Sequence, residues 1–433
     1  MDDKSLDIIL FGATSFVGQI TTKYLYEHIG LDSNIKWAIA GRSEKKLNQI
    51  KAALGPDADA IPVLIADSAD TDSLNRLCQK TRVILSTVGP YALYGEPLIE
   101  ACVSQGIDYC DLTGEAYWIK KMLDKYELAA QKSGARIINC CGFDSIPSDL
   151  GVYFLQQTSQ QQNGHSLNHI KLRVKAMKGG VSGGTVASGI EMAKAAKKDP
   201  SLRRNMGNPH VLCRQSDIKS ARQPRITKPT YDPDFKAWSA PFIMEAINSR
   251  IVLRTNSLKQ DSTTGHLIYG EAVLTGKGLR GYLRAAVITL SLGGFAIATK
   301  YRFLRYLIQQ FVLPKPGEGP SQQQQQKGFF DLRIIGKKDQ KSLMVKVTGD
   351  RDPGYGCTAK MLVQAGLCMA YDISKTDLPG GFWTPAHRST LCASTTSWTL
   401  STGCAKLLFP STCRAPMALS CLTKRWRQRS PIC

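Results

Sequence analysis

One joint near the start of the chain constrains the fold most. Asp7-Ile8-Ile9-Leu10-Phe11 is an apolar run without a polar face, which reads as a strand buried on both sides, as in a parallel sheet. It runs straight into Gly12-Ala13-Thr14-Ser15-Phe16-Val17-Gly18, and Gln19–Leu25 then has helical spacing. Glycines at a strand–turn–helix joint are where backbone N–H groups and a helix N-terminus can hold a pyrophosphate. Gly12 permits the tight turn and Gly18 lets the helix approach the strand. Ser15 stands where the G-x-x-G-x-x-G variant has its third glycine, and its hydroxyl offers a further bond to phosphate. Taken alone, these glycines fit equally a turn that merely needs glycine.

The next segment separates the two readings. Ile35–Ala40 is a second strand and ends in Gly41-Arg42-Ser43. In a dinucleotide fold this tip faces the adenosine ribose, where an acid would bond the 2′-OH of NAD. Arg42 and Ser43 carry no acid; a guanidinium with a hydroxyl suits a 2′-phosphate and predicts NADP. The alternative for Arg42 is a solvated loop charge. Ile61–Asp67 is a third strand, and Asp67 either contacts the adenine amino group or caps the helix beginning near Asp70. Val83–Pro90 is a fourth, whose end, Val88-Gly89-Pro90, approaches the nicotinamide side. Gly106–Asp111 and Ala135–Cys140 are two more, with helices at Glu96–Gln105 and Tyr117–Ser133. This alternation predicts an α/β fold, a doubly wound parallel Rossmann sheet.

At 433 residues the chain is too long for one ordinary core, and 43% hydrophobic content excludes a mainly disordered one. Residues 1–150 carry 15 basic and 20 acidic side chains; the remainder carries 41 and 15. The basic half therefore meets a different partner: an anionic membrane or lipid-droplet surface, nucleic acid, or an acidic substrate. No nucleic-acid-binding module interleaves with the cations, so no nucleic-acid partner is expected. The start shows no signal-peptide pattern, so the thirteen cysteines are expected as thiols and the location cytoplasmic. Neither cysteines nor histidines show metal-ligand spacing, and no metal is expected.

Beyond residue 150, Gln156–Gly164 reads as a polar loop. Ile170–Ala176 alternates as a strand with one wet, basic face, and Leu267–Leu274 is another strand. Gly179–Thr185 is a second glycine-rich entry to a helix, either presenting N–H groups to a substrate or acting as a flexible turn. Residues 199–240 lack periodicity and predict a lid or surface crossing. In 282–313 the uncharged stretch 285–298 has 14 residues, short of the roughly 20 that span a bilayer. With Arg280, Arg284, Lys300, Arg302 and Arg305 flanking it, the segment is either a buried helical hairpin or a monotopic patch on an anionic membrane or lipid droplet. Residues 317–326 form a low-complexity loop, and Phe330–Gly336 with Leu343–Gly349 form a hairpin. From Arg388 to Cys433 there is no Asp or Glu, with seven Lys/Arg and five cysteines. That tail is expected to be disordered or frame-shifted.

Gly12–Gly18, Ala40–Ser43, Val88–Tyr91, Tyr94–Pro97, Asp111–Glu115 and Cys141–Gly151 together closely resemble the saccharopine dehydrogenase-like oxidoreductases, a family that includes the trans-acting enoyl reductases of bacterial lipid synthesis. Asp352-Pro353-Gly354-Tyr355-Gly356 and Leu378–Pro385 resemble the same bacterial branch. The resemblance implies a Rossmann domain binding NADP, a second α/β (α+β) domain inserted before the C-terminal helices, and hydride transfer to a hydrophobic, lipid-linked substrate such as an enoyl group. The expected division is 1–150 for NADP, 151–350 for substrate or oligomerisation (a homodimer), 351–387 as a returning helix and loop, and 388–433 as the tail. The expected cofactor contacts are Gly12, Thr14, Ser15, Phe16, Val17, Gly18, Arg42, Ser43, Asp67, Val88, Gly89 and Pro90. Enoyl reduction also needs a proton donor at a strand's carboxyl end. Tyr91, Asp144 and Ser145 are the candidates, with Tyr94, Asp111 and Glu115 behind them; for Asp144 and Asp149 the alternative is capping the helix that starts near Pro147. Two other functions stay open: a catalytically silent nucleotide-binding scaffold, and a peripheral membrane protein.

Overall fold

The wholly apolar strands pair where both of their faces can be covered. A computed structural model describes residues 4–180, 207–214, 222–259, 267–298, 319–387 and 399–402, with isolated positions between. In its first half β1 (Leu6–Phe11), β2 (Trp37–Gly41), β3 (Val63–Ile65), β4 (Thr81–Ser86), β5 (Asp108–Asp111) and β6 (Arg136–Ile138) alternate with α1 (Phe16–Tyr24), α2 (Glu44–Leu54), α3 (Thr71–Gln79), α4 (Tyr91–Tyr94), α5 (Glu96–Gln105) and α6 (Ala116–Ser133). All these strands run parallel. Ile8 on β1 faces Trp37 on one side and Val83 on the other. The chain winds outward through β2 and β3, then returns to continue from β4, so the direction of winding reverses between β1 and β4. Ligand crevices open above that reversal, at the carboxyl ends of the strands.

From this sheet α7 (Ile146–Asn163) crosses to a second one, formed by β7 (His169–Lys178), β8 (Thr230–Asp232), β9 (Ala237–Ala240), β10 (Ile268–Gly276), β11 (Phe329–Lys338) and β12 (Lys341–Gly349). Its pairings are antiparallel except β7 with β10. Gly151 lets α7 lie on this sheet: a Cβ there would come 2.4 Å from the Ile334 side chain. The helices α8 (Glu245–Leu258) and α9 (Gly278–Ala298) and the short α10 (Gln322–Gln326) belong to the same half. The chain then returns: α11 (Thr358–Leu367) packs on α1, β4 and β5, and β13 (Gly381–Trp383) extends the parallel sheet beside β6. A buried pair fastens the return. Arg136 bonds the Asp108 carboxylate and donates to the carbonyls of Ile373 (2.7 Å) and Met369 (2.8 Å). One apolar core runs from Ile8, Leu10 and Leu85 through Leu150 and Leu362 to Leu172, Ile334 and Val347.

Several expectations are corrected. Gly381-Phe382-Trp383 is a strand, not a loop; three residues are too few to alternate, and the exposed edge of β6 decides their state. The stretch 199–240 contains β8 and β9, which pair as a small hairpin. Gln322–Gln326 is helical because Ser321 and Gln324 form a reciprocal capping box. The basic face of β7 is not uniformly wet: Arg173 is buried against Asp232 at 2.7 Å. In the tail, β14 (Thr399–Thr402) pairs with β12, because that strand's outer edge offers a free ladder; the remainder lies outside the described residues. The apolar segment begins earlier than its uncharged stretch, as a 21-residue helix, and the reading of a buried hairpin fails for α9, where only Gly281 and Ala285 are buried.

Candidate functional site

The loops after β1, β2, β4, β5 and β6 converge above the reversal point. Gly12 has φ +89°, and a Cβ there would sit 2.6 Å from Val88 and 2.8 Å from the Thr87 hydroxyl. A side chain is therefore excluded both by conformation and by space. At Gly18 a Cβ would meet the Gly12 carbonyl at 2.2 Å, so α1 lies directly on the turn. Ser15 caps α1, accepting from the Gly18 N–H at 2.9 Å, and donates to Thr87 Oγ1 at 3.0 Å. Thr87 in turn donates its hydroxyl hydrogen bond to the Gly12 carbonyl at 2.9 Å. The Ser15 hydroxyl is thus committed to bracing the turn, which corrects the expectation of a phosphate bond. The amides of Thr14, Phe16 and Val17 take no hydrogen bond among the described residues, and these three side chains are half-exposed. Three free N–H groups at a helix N-terminus fit a pyrophosphate. Gly319 and the Tyr355 ring (5.1 Å) pack on Phe16, bringing the second half of the chain against the turn.

Arg42 is exposed at the tip of β2 and has no ion pair among the described residues. Beside it Ser43 caps α2, accepting from Lys46 at 3.4 Å and keeping its own proton free to donate. That pairing fits a 2′-phosphate. Asp67 does not cap α3; Asp70 does, accepting from Asp72 at 3.1 Å. One Asp67 oxygen instead closes a turn on the Ala69 N–H at 3.0 Å. Val88 and Pro90 are half-buried and Gly89 exposed, forming the rim over β4.

Of the proton-donor candidates, Tyr91 is withdrawn. It is buried, its hydroxyl donates to the Ser86 carbonyl at 3.0 Å and accepts from the Leu112 N–H at 3.1 Å, and burial pushes its pKa well up. Ser145 is also withdrawn: fully buried, it bonds Asn248 at 3.3 Å. Asn248 in turn donates to Ser148 (3.1 Å) and Glu271 (2.9 Å), and Tyr269 donates to Glu271 at 2.5 Å. This network holds α7, α8 and β10 together, and sequence patterning did not reveal Asn248 because two of its partners, Ser145 and Ser148, lie about a hundred residues away and the third, Glu271, is on a different element. Glu115 is fixed on the amides of Tyr91 and Ala92, at 3.0 and 2.9 Å. Asp111 accepts from Thr113, Cys140 and Asn139, and burial raises its pKa to about 7. Asp149 accepts from Thr255 (2.6 Å) and the Ala386 N–H (2.9 Å), so it ties α7 to α8 and the C-terminal loop instead of capping its own helix.

Asp144 differs from all of these. It is half-buried, has no hydrogen bond among the described residues, and is close enough for its charge to oppose ionisation of Tyr91 and Cys140. Burial raises its pKa to about 6. A carboxyl with such a pKa and no structural bond can carry a proton to a neighbour near neutral pH. The peptide beside it is fixed by the Phe143 N–H donating to Thr358 Oγ1 at 3.0 Å, which links this loop to α11. In the second glycine-rich entry the Gly180 N–H is taken by Asp352 (2.8 Å), whose other oxygen accepts from Tyr355 (2.8 Å); Val181–Thr185 lie outside the described residues. The Asp-Pro-Gly string was the available signal for this organiser, since such sequences favour side-chain-bonded turns.

Three comparisons bear on this arrangement. The profile of the saccharopine dehydrogenase NADP binding domain matches residues 8–138. A trans-acting enoyl reductase of Mycobacterium tuberculosis is 35% identical over 394 residues, covering 89% of this chain and 93% of its own. A trans-acting enoyl reductase of Mycobacterium ulcerans is 31% identical over 400 residues, covering 88% and 93%. Among solved structures, the apo saccharopine dehydrogenase (L-Glu forming) of Saccharomyces cerevisiae superposes with a TM-score of 0.51 at 12% identity, covering 92% of this chain and 99% of that one, a likeness of fold.

Proposed function

Because this chain belongs to the trans-acting enoyl reductase branch of the saccharopine dehydrogenase-like oxidoreductases, which bind NADP, we propose that it reduces an enoyl group carried on a hydrophobic, lipid-linked substrate. When bound in its reduced form, NADP supplies a hydride. This chain's residues do the rest. The amides of Thr14, Phe16 and Val17 hold the pyrophosphate, Arg42 with Ser43 holds the 2′-phosphate, and Val88-Gly89-Pro90 borders the nicotinamide end. The enoyl α-carbon takes up one proton to complete saturation, and the Asp144 carboxyl delivers it. Asp111, Glu115, Tyr91 and Ser145 position the loops around that carboxyl and touch no reactant.

The observation that carries this reading is the contrast between Asp144, without a hydrogen bond among the described residues and with a pKa near 6, and the bonded carboxylates around it. The test is a titration with NADPH and NADH, followed by NADPH oxidation with enoyl thioesters of increasing chain length. Tighter binding of NADPH and turnover that improves with acyl length are expected. Binding without turnover on any enoyl substrate would leave a silent nucleotide-binding scaffold and end the catalytic assignment.

A further inference from the structure

The helix α9 is out of keeping with a water-soluble surface. It is long and apolar enough to cross a membrane, yet only 11% of its apolar window is buried. Core helices of soluble proteins share such a composition but are covered by their neighbours. Here Leu283, Val287 and Leu290 are 53, 61 and 75% exposed, and Phe295 and Ile297 follow. Gly293 and Gly294 are open as well: a Cβ at either would meet nothing within 4 Å. From Leu290 onward exposed residues occupy every face, so there is no amphipathic stripe by which the helix could lie on a flat protein surface.

The foot of the helix is built differently. Gly281 and Ala285 pack α9 on β9 and β10, and Thr275 donates to the Gly281 carbonyl at 2.8 Å. Tyr282 stands edge-on to Trp238 at 5.0 Å, and Tyr231 packs on the same indole at 5.7 Å. Lys277, Arg280 and Arg284, at the same end of the helix as Tyr282, are exposed. The sequence places further cations, Lys300, Arg302 and Arg305, at the opposite end of the apolar stretch from this foot. Aromatic rings and basic groups beneath an exposed apolar helix match the layering of a lipid leaflet, where rings sit at headgroup depth and cations meet anionic lipids. A rise of 1.5 Å per residue gives residues 285–298 a length of roughly 21 Å, enough to pass through one leaflet and beyond its midplane.

We propose that α9 anchors this protein in an anionic phospholipid bilayer, with residues 285–298 in hydrocarbon, Tyr231, Trp238 and Tyr282 at the interface, and Lys277, Arg280 and Arg284 on the headgroups. This attachment is separate from the reaction assigned above and does not rest on it.

The test is flotation of the full chain with phosphatidylcholine vesicles, with and without phosphatidylserine, at low and high salt. The parent protein is expected to float with both, to favour phosphatidylserine at low salt, and to stay bound at high salt, since hydrocarbon insertion does not screen. The double variant Val287→Glu, Leu290→Glu is expected to lose more than about tenfold of its bound fraction while NADPH binding, the check on folding, is unchanged. Arg280→Gln with Arg284→Gln is expected to remove the preference for phosphatidylserine but keep high-salt binding. A parent that stays unbound, or that high salt releases completely, would overturn the proposal. So would a glutamate variant that floats as well as the parent, or one that instead dissociates a dimer without changing flotation.

Discussion

Ser15 donates its hydroxyl to Thr87 at 3.0 Å, so the serine that replaces a glycine of the dinucleotide turn pins that turn to the end of β4. The same oxygen caps α1. The extra side chain is therefore accommodated by giving it two structural bonds, and the amides of Thr14, Phe16 and Val17 are the donors we propose for the phosphate.

Ser15→Ala removes both bonds and should lower stability by about 1 kcal/mol, whereas Ser15→Gly, which still suits a helix cap, should lose only a few tenths. Urea unfolding of the two variants checks this. Equal losses would mean that the bond to Thr87, not the cap, carries the effect.

Arg42→Ala removes the exposed guanidinium at the tip of β2. One lost charge-assisted contact, at about 1.5–3 kcal/mol, corresponds to roughly ten- to hundredfold weaker NADPH binding. Affinity for NADH should not change. Parallel fluorescence titrations decide the point, and a matched fall for both coenzymes would remove Arg42 from the 2′-phosphate site.

Asp144 must be protonated to act as an acid. With a pKa near 6, turnover should be highest below that value and fall about tenfold per pH unit above it. Asp144→Asn should lower kcat by about a hundredfold or more, flatten the profile, and leave NADPH binding intact. A variant that keeps the parent's pH profile would assign the proton to another group.

Burial holds Asp111, Asp149 and Glu271 near 7, well above the value of about 4 that they have when unfolded. Groups raised on folding contribute stability that is complete below the unfolded value and is lost as pH rises through the folded one. Glu96 and Asp234, held low by their lysines, act in the opposite sense, but only as pH falls below about 4. The urea midpoint should therefore be higher near pH 5.5 than near pH 8. Asp149→Asn should flatten that slope, and a midpoint that climbed with pH would contradict the burial of these carboxyls.

The parallel sheet was legible because short apolar runs, Ile8–Phe11, Trp37–Ala40 and Val83–Leu85 among them, alternate with helices, a pattern written locally. Arg42 was legible for the same reason, through its fixed place at the end of β2. Tyr91 and Ser145 misled: position at a strand's end is visible in sequence, but whether a hydroxyl faces the mouth or the core is not. Tyr91 turns inward to Ser86, and Ser145 to Asn248, a partner 103 residues away. The strand β13 and the exposure of α9 were hidden likewise, since the edge of β6 makes the one and the absence of covering neighbours makes the other.

By itself the order of residues determined the winding of the first half, the glycine turn and the coenzyme it suits, because these depend on backbone freedom and on neighbours a few positions apart. Only the folded arrangement decided which carboxyl is left without a hydrogen-bond partner among the described residues, which hydroxyls serve as struts, and which apolar helix is left uncovered. Those properties depend on desolvation and on partners brought together across hundreds of residues, and no local pattern encodes them.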